Sequence, residues 1–273
     1  MSENADISKL LWAHRSIRSF TSEDIAPELL NSILTDAVAG SSSSGNLNSV
    51  SMVVTRNSER KQKLFELHFG QPMVLEAPVV ITFCADWYRT RQWLKLRGAR
   101  DNFNNFLGYH VAAFDAMILS QSVCLGLEAK GMGICYMGST LSSMREIGEL
   151  LNLPETCVPV TTIVAGWPAE NPAKRDRLPV SALVHEETYH YPDDRELAEI
   201  FESRERKGWE RYMSIPELKA EIEKRGITSL AQFYTSDAKY PPETFVEDSL
   251  RIIELLNEKG FLPSTSNHPS RSA

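Results

Sequence analysis

Apolar residues recur along this chain at two spacings, and the switches between them mark out its elements. Leu29, Leu30, Ile33, Leu34, Ala37 and Val38 form one stripe at helical spacing. Pro27 suits the first turn of that helix and Gly40 its end. A shorter helical pattern over residues 6–13 (Ile7, Leu10, Leu11) precedes it. Phe20 to Ile25 reads as a turn, with Ser22, Glu23 and Asp24 available as caps. β-branched runs predict strands over 50–55 (VSMVVT) and 78–84 (PVVITFC), with a helix over 58–68 between them and another over 87–97. The longest periodic segment, 102–130, carries Phe103, Phe106, Leu107, Val111, Phe114, Met117, Ile118, Leu125 and Leu127. It is apolar on more than one side, which predicts a central buried helix.

Gly131-Met132-Gly133 closes that helix and leads into a short strand over 134–137. Ser143 and Glu146 have capping-box spacing ahead of a helix over 144–151, and 159–165 reads as a buried strand. From Gly166 to Val180 the chain is proline-rich, basic and aperiodic, an extended arm of the kind that reaches another surface or subunit. After Tyr191 it is helical and charged (194–212, 214–225, 243–259), and 263–273 are expected to fray. Helices outnumber strands and do not alternate regularly with them. The expected class is therefore α+β, with a small central sheet and a long buried helix, not a doubly wound fold.

Composition narrows the picture little: 273 residues, 42% hydrophobic and 24% charged, fit one large domain or two small ones. A net charge of −7 without a basic run argues against nucleic acid and anionic membrane as partners. Cys84, Cys124, Cys135 and Cys157 form no CxxC and sit among apolar residues, as reduced thiols do. The N-terminal stretch has no apolar signal core, and no run approaches the length of a membrane span, so a cytoplasmic protein is expected.

Three stretches concentrate chemistry. His14-Arg15-Ser16-Ile17-Arg18-Ser19-Phe20 packs two guanidiniums and an imidazole together, and one helical turn would put Arg15 and Arg18 on one face. Ser41 to Ser44 with Gly45 forms a donor-rich loop able to hold a phosphate or a heterocycle edge. Lys174-Arg175-Asp176-Arg177 lies in the arm; on spacing alone it is a solvated charge run. Gly131, Gly133 and Gly138 fall between a helix and a strand, the wrong order for a dinucleotide fingerprint. His185 and His190 are five apart, not four, which argues against a helical metal pair. No nucleophile motif or P-loop is present. A chain that gathers donors without a nucleophile fits a protein whose cofactor does the chemistry, and a pure ligand-binding module would look the same.

The stretches HRSIRSF, SSSSGNLNS, FGQ before a strand ending FCAD, GMGICYMGS, LNLPETCVPVTTIVAGWPAENP, RLP and VHEETY occur in that order. Together they resemble the FMN-dependent nitroreductase family, in its NADPH nitroreductase/flavin reductase branch with an extended C-terminal region. The resemblance implies a small, mostly antiparallel sheet surrounded by helices, in a homodimer with FMN at the interface. Residues 1–191 would be the FMN-binding core. Residues 192–273 would be a helical extension of the same domain. It implies ping-pong hydride transfer from NADPH or NADH through flavin N5 to a small-molecule oxidant such as a nitroaromatic or quinone. No side chain is then needed as nucleophile or base, and no metal.

Residue by residue, His14, Arg15, Ser16 and Arg18 would meet the FMN phosphate, ribityl chain and pyrimidine edge. Ser42 and Ser43 would line the same cleft, and Asn46 and Asn48 would contribute from the partner chain. Gln71 would face the ring, and Tyr136, Met137 and Gly138 would offer backbone contacts near N5. Arg175 and Arg177 would close over the phosphate from the arm. Arg204, Arg206 or Lys207 would meet the 2′-phosphate of NADPH. Arg175 stands where the branch usually has lysine, Asn48 where it often has glutamine, and Ser139-Thr140 replaces a glycine-containing pair. Alternatives within the same resemblance are a flavin reductase that releases reduced FMN and a non-catalytic FMN-binding module.

Overall fold

The computed structural model describes residues 6–262, so the expected fraying of 263–273 lies outside the described residues. These residues fall into two compact units: one runs up to Ala173 and resumes at Leu250, and the other is Lys174–Ser249.

The first unit is built on a four-stranded antiparallel sheet. Its strands are β1 (Val50–Thr55), β2 (Val79–Asp86), β3 (Gly133–Met137) and β4 (Cys157–Gly166), in spatial order β1-β2-β4-β3. The central strands β2 and β4 are buried almost throughout, and their side chains alternate between two cores. Val79, Ile81 and Phe83 face one side, with Ile33 and Ala37 of helix α2 (Pro27–Gly40) and Leu119, Val123 and Leu127 of the long helix. Val80, Cys135, Met137 and Val164 face the other side. There they meet α3 (Ser58–Leu67), the one-turn α4 (Met73–Glu76) and α7 (Met144–Leu150), together with Ile17 and Phe20.

Helix α1 (Ile7–Ala13) starts on the Asp6 cap, α5 (Tyr88–Leu96) follows β2, and α6 (Phe106–Ala129) is the long helix. A third cluster in this unit joins Trp87, Ala112, Met144 and Val158 to Leu255, Leu256 and Phe261 at the chain's far end. The second unit has its own core of Tyr212, Ile222, Leu230 and Phe233. It is carried by α8 (Asp194–Met213), α9 (Pro216–Lys224) and α10 (Leu230–Tyr234), and α11 (Pro242–Glu258) begins within it.

The α+β class, the small antiparallel sheet and the long central helix are as expected, and four details are not. Helix α6 is buried on one stripe only (Ala112, Ala116, Leu119, Val123, Leu127), while Phe106, Leu107, Phe114, Met117 and Ile118 are exposed. By length and composition alone α6 could cross a membrane, contrary to the sequence expectation; its stripe, with Asp115 within it, packs on the sheet instead. Ser143 and Glu146 form no capping box, because Ser143 Oγ donates to the Leu67 carbonyl (2.7 Å) and Glu146 pairs with Arg251. Finally, α2 has no side-chain cap; its Ncap residue is Ala26, and Pro27 at the first turn removes one donor that would need one.

Candidate functional site

The His14–Phe20 stretch is extended, not helical. Helix α1 stops at Ala13, Ser16 bridges Ile134 in parallel, Phe20 bridges Pro168, and the Ile17 amide donates to the Ile134 carbonyl (2.9 Å). Burial of Ile17 and Phe20 against the sheet decides this, and it lays the stretch along the free edge of β3. Gly133 makes the approach possible: a Cβ there would lie 2.5 Å from Ile17 Cγ1. Arg15 and Arg18 therefore do not share a helical turn.

Arg15 is held by neutral acceptors, the Ala13 carbonyl (3.1 Å), the Asn171 side chain and the Pro172 carbonyl (3.4 Å). The Arg18 guanidinium reaches, among the described residues, only the Ser16 carbonyl (3.4 Å). Among the described residues neither guanidinium has a carboxylate partner. The Glu170 carboxylate instead accepts from the backbone amides of Arg18 and Ser19. His14 Nδ1 lies 2.6 Å from Glu128 Oε1. His14, Arg15, Ile17, Glu128, Gly133 and Glu170 line one cleft of about 340 Å³.

The serine loop lines a second cleft of similar size with Ser41, Ser42, Ser43, Asn48, Arg89 and Asp115. Asp115 is 2% exposed and anchors the loop. It accepts from Ser43 Oγ (2.6 Å), the Ser44 amide (3.1 Å), Ser49 Oγ (2.8 Å) and the Ser49 amide (3.3 Å). A buried carboxylate needs such a set of donors. Sequence reasoning missed Asp115; an acid in the middle of the longest apolar segment was the available signal. Arg89 donates to the Asn48 and Val50 carbonyls and to Ser51 Oγ. Asn46 and Asn48 sit at positive φ (55° and 51°), a conformation asparagine tolerates.

Gln71 belongs to a third group. Its Nε2 donates to the His68 carbonyl and to Ser139 Oγ, both at 3.1 Å, so its Oε1 is left as an acceptor. His68 is fully buried, and burial lowers its pKa to about 4; Nδ1 meets Ser139 Oγ at 2.8 Å and Nε2 has no partner. Gly138 is exposed beside it, and Met137 is buried. The Tyr136 hydroxyl meets Ser120 Oγ (2.9 Å), and burial, with Cys124 next, raises its pKa. Its side chain therefore serves the core, which leaves its backbone for a ligand.

In the second unit Arg175 and Arg177 are exposed and, among the described residues, without ion pairs, while Asp176 between them is held by Lys207 (2.9 Å) and Ser203. Arg206 pairs with Glu210 (3.6 Å), and Arg204 stacks over Tyr234. Among the described residues no group of three or more potential metal ligands occurs. The chain thus brings His14 and Arg15 together in one cleft and Ser42, Ser43 and Asn48 in another, and no nucleophile–base pair accompanies either.

The fold is α+β, and among the described residues its two donor-rich clefts carry no nucleophile–base pair. The chain belongs to the Nitroreductase family, whose sequence pattern matches residues 12–167. It is 38% identical to an FMN reductase [NAD(P)H] of Bacillus subtilis strain 168 over 69% of this chain and 76% of that one. It is 32% identical to the oxygen-insensitive NADPH nitroreductase of Salmonella typhimurium strain LT2 over 70% and 77%. Among solved structures, the NADPH:FMN oxidoreductase from Vibrio harveyi complexed with NAD+ superposes with a TM-score of 0.70 at 25% identity, covering 94% of this chain and 99% of that one.

Proposed function

We propose that this protein is an FMN-dependent oxidoreductase that uses NADPH or NADH to reduce nitroaromatics, quinones or similar acceptors by a ping-pong mechanism. The observation that carries this reading is a pair of guanidiniums on the edge of β3, Arg15 in the His14 cleft and Arg18 exposed, neither with a carboxylate partner of its own among the described residues. That arrangement fits a phosphate monoester: fixed cations, a cleft, and no chemistry of the protein's own. The names of its relatives, FMN reductase and NADPH nitroreductase, support the same cofactors.

Bound FMN supplies the ring that accepts a hydride from the reduced nicotinamide and passes it to the oxidant. Arg15, Arg18, His14 and Ser16 hold the phosphate and the anionic edge of the cofactor. Gln71 meets the ring edge through its free carbonyl oxygen, and Ser42, Ser43, Asn46 and Asn48 line the site. The Tyr136 hydroxyl stays protonated near pH 7, and His68, with its pKa lowered to about 4, is only a weak base there; hydride transfer needs neither. Of the candidates for a 2′-phosphate, Arg204 is favoured, because Lys207 and Arg206 already hold carboxylates.

Two features support a homodimer. The serine loop and the His14 cleft share no lining residue on one chain, and α6 leaves an apolar face exposed. A second copy that covers this face would bring the two half-sites together. The four cysteines are buried and free, which supports a reducing, cytoplasmic setting.

The purified protein should be yellow and release FMN on denaturation. NADPH or NADH should bleach it under anaerobic conditions, and a nitroaromatic should restore the colour. A protein that takes up no FMN would overturn the reading. A second reading, a flavin reductase that releases reduced FMN, is favoured by the name of the Bacillus subtilis relative. It predicts saturable kinetics in added FMN and loss of flavin on gel filtration.

A further inference from the structure

Glu128 stands where a carboxylate is hard to keep. It is the last residue but one of α6, at the negative end of the helix dipole. Its side chain is 10% exposed, and Oε2 is buried with no hydrogen-bond partner. Burial raises its pKa above the ordinary carboxylate value, and contact with His14 offsets that only in part. Its one partner is His14, whose Nδ1 lies 2.6 Å from Oε1. An ionised carboxylate only accepts, so Nδ1 carries a hydrogen and the second ring nitrogen is the free one. Among the described residues His14 Nε2 has no hydrogen-bond partner, and the side chain is 31% exposed.

The charges lining this cleft give the pair a task. Arg15 is the fixed cation, and Glu128 and Glu170 are two carboxylates. With a neutral His14 the lining is net negative, a poor host for a phosphate dianion. With an imidazolium it is balanced, and Nε2–H becomes a donor. Cys124 and Tyr136 are the other titratable groups close to Glu128, and burial keeps both protonated, Cys124 with its pKa raised to about 12. Arg18 lies next in the chain, with its own amide on Glu170.

We propose that Glu128 is a positioning residue that holds His14 as an imidazolium when a phosphate monoester enters the cleft, so that cofactor binding takes up a proton. The proton comes from solvent and resides on the His14 ring. Nδ1–H donates to Glu128, and Nε2–H is left to donate to the phosphate. The inference rests on the FMN reading above. The competing account is that the pair only ties α1 to α6.

The test uses full-length protein freed of flavin, titrated at pH 8 with FMN and, in parallel, with riboflavin, which lacks the phosphate. Flavin fluorescence gives the affinities, and calorimetry in buffers of different ionisation enthalpy gives the protons exchanged. A phosphate monoester with a second pKa of about 6 is already a dianion at that pH, so uptake reports the protein. Proton uptake should accompany FMN binding and be absent with riboflavin. Glu128→Gln should abolish the uptake and weaken FMN about tenfold, with riboflavin affinity within about twofold. Adding Glu128→Gln to His14→Ala should cost nothing further. FMN binding by the native protein without proton uptake overturns this inference alone. An equal loss of FMN and riboflavin affinity in Glu128→Gln does the same, in favour of the structural tie. If the native protein binds no flavin, both this inference and the proposed function fall.

Discussion

Arg18 carries the most direct prediction among the residues. Its guanidinium is exposed, with one distant carbonyl as partner, so the free protein gains little from it. Arg18→Ala should leave the melting temperature of the flavin-free protein unchanged. It should weaken FMN by the worth of a charge-assisted contact, about 1.5–3 kcal/mol, roughly tenfold or more in Kd. Unaltered FMN affinity would remove Arg18 from the site. His68 makes a different prediction, about pH. Its folded pKa of about 4 lies below the ordinary 6.5, so between those values the unfolded chain binds a proton that the folded one does not. Stability therefore rises with pH across that window, and is lost as pH falls from 6.5 towards 4, by about 1.4 kcal/mol per pH unit. Urea titrations at stepped pH should show this slope, and His68→Gln should flatten it; an equal slope in both proteins would assign the effect elsewhere. Of these two residues, Arg18 was legible in the sequence because a basic pair stands out in an acidic chain. His68 was not, because nothing local distinguishes a buried histidine from a solvated one.

The strands were the most legible of the elements. Their β-branched runs placed β2 at 78–84 and β4 at 159–165, against Val79–Asp86 and Cys157–Gly166 in the fold. The short helices α4 and α10 escaped notice, since four or five residues carry no measurable period. The shared face that one helical turn would give Arg15 and Arg18 does not form, because spacing alone cannot reveal that Ile17 and Phe20 are taken by the sheet. Gly133 tests that seat. A methyl group there meets Ile17 Cγ1 at 2.5 Å and Cβ at 2.7 Å, atoms close to the backbone that cannot swing away. Gly133→Ala should cost about 1–3 kcal/mol of stability and weaken FMN as the stretch lifts from the β3 edge. Gly40→Ala, with nothing within 4 Å of the added carbon, is the control and should do neither. Equal behaviour of the two variants would mean that the stretch does not depend on this contact.

Across the whole molecule the unresolved quantity is what covers α6. Phe114, Met117 and Ile118 recur at helical spacing on the face opposite the buried stripe, and Phe114 is 61% exposed. The sequence read this two-sided apolar pattern as complete burial, which holds for one side only within a single chain. Isolated exposed apolar residues are normal, but a contiguous helical stripe of them marks an interaction surface. The second copy proposed above would also account for the serine loop and the His14 cleft sharing no lining residue. Light scattering of the native protein should therefore give the mass of two chains. Phe114→Asp with Ile118→Glu leaves the buried stripe untouched and places two carboxylates on the exposed face. The variant should be a folded monomer by circular dichroism and should lose FMN together with its dimeric mass, because each half-site would be left alone. Restoring the apolar residues one at a time should return mass and flavin in step. A monomeric variant that retains FMN at native affinity would show that one chain holds a complete site, and a native protein that runs as a monomer would remove the role assigned to this face.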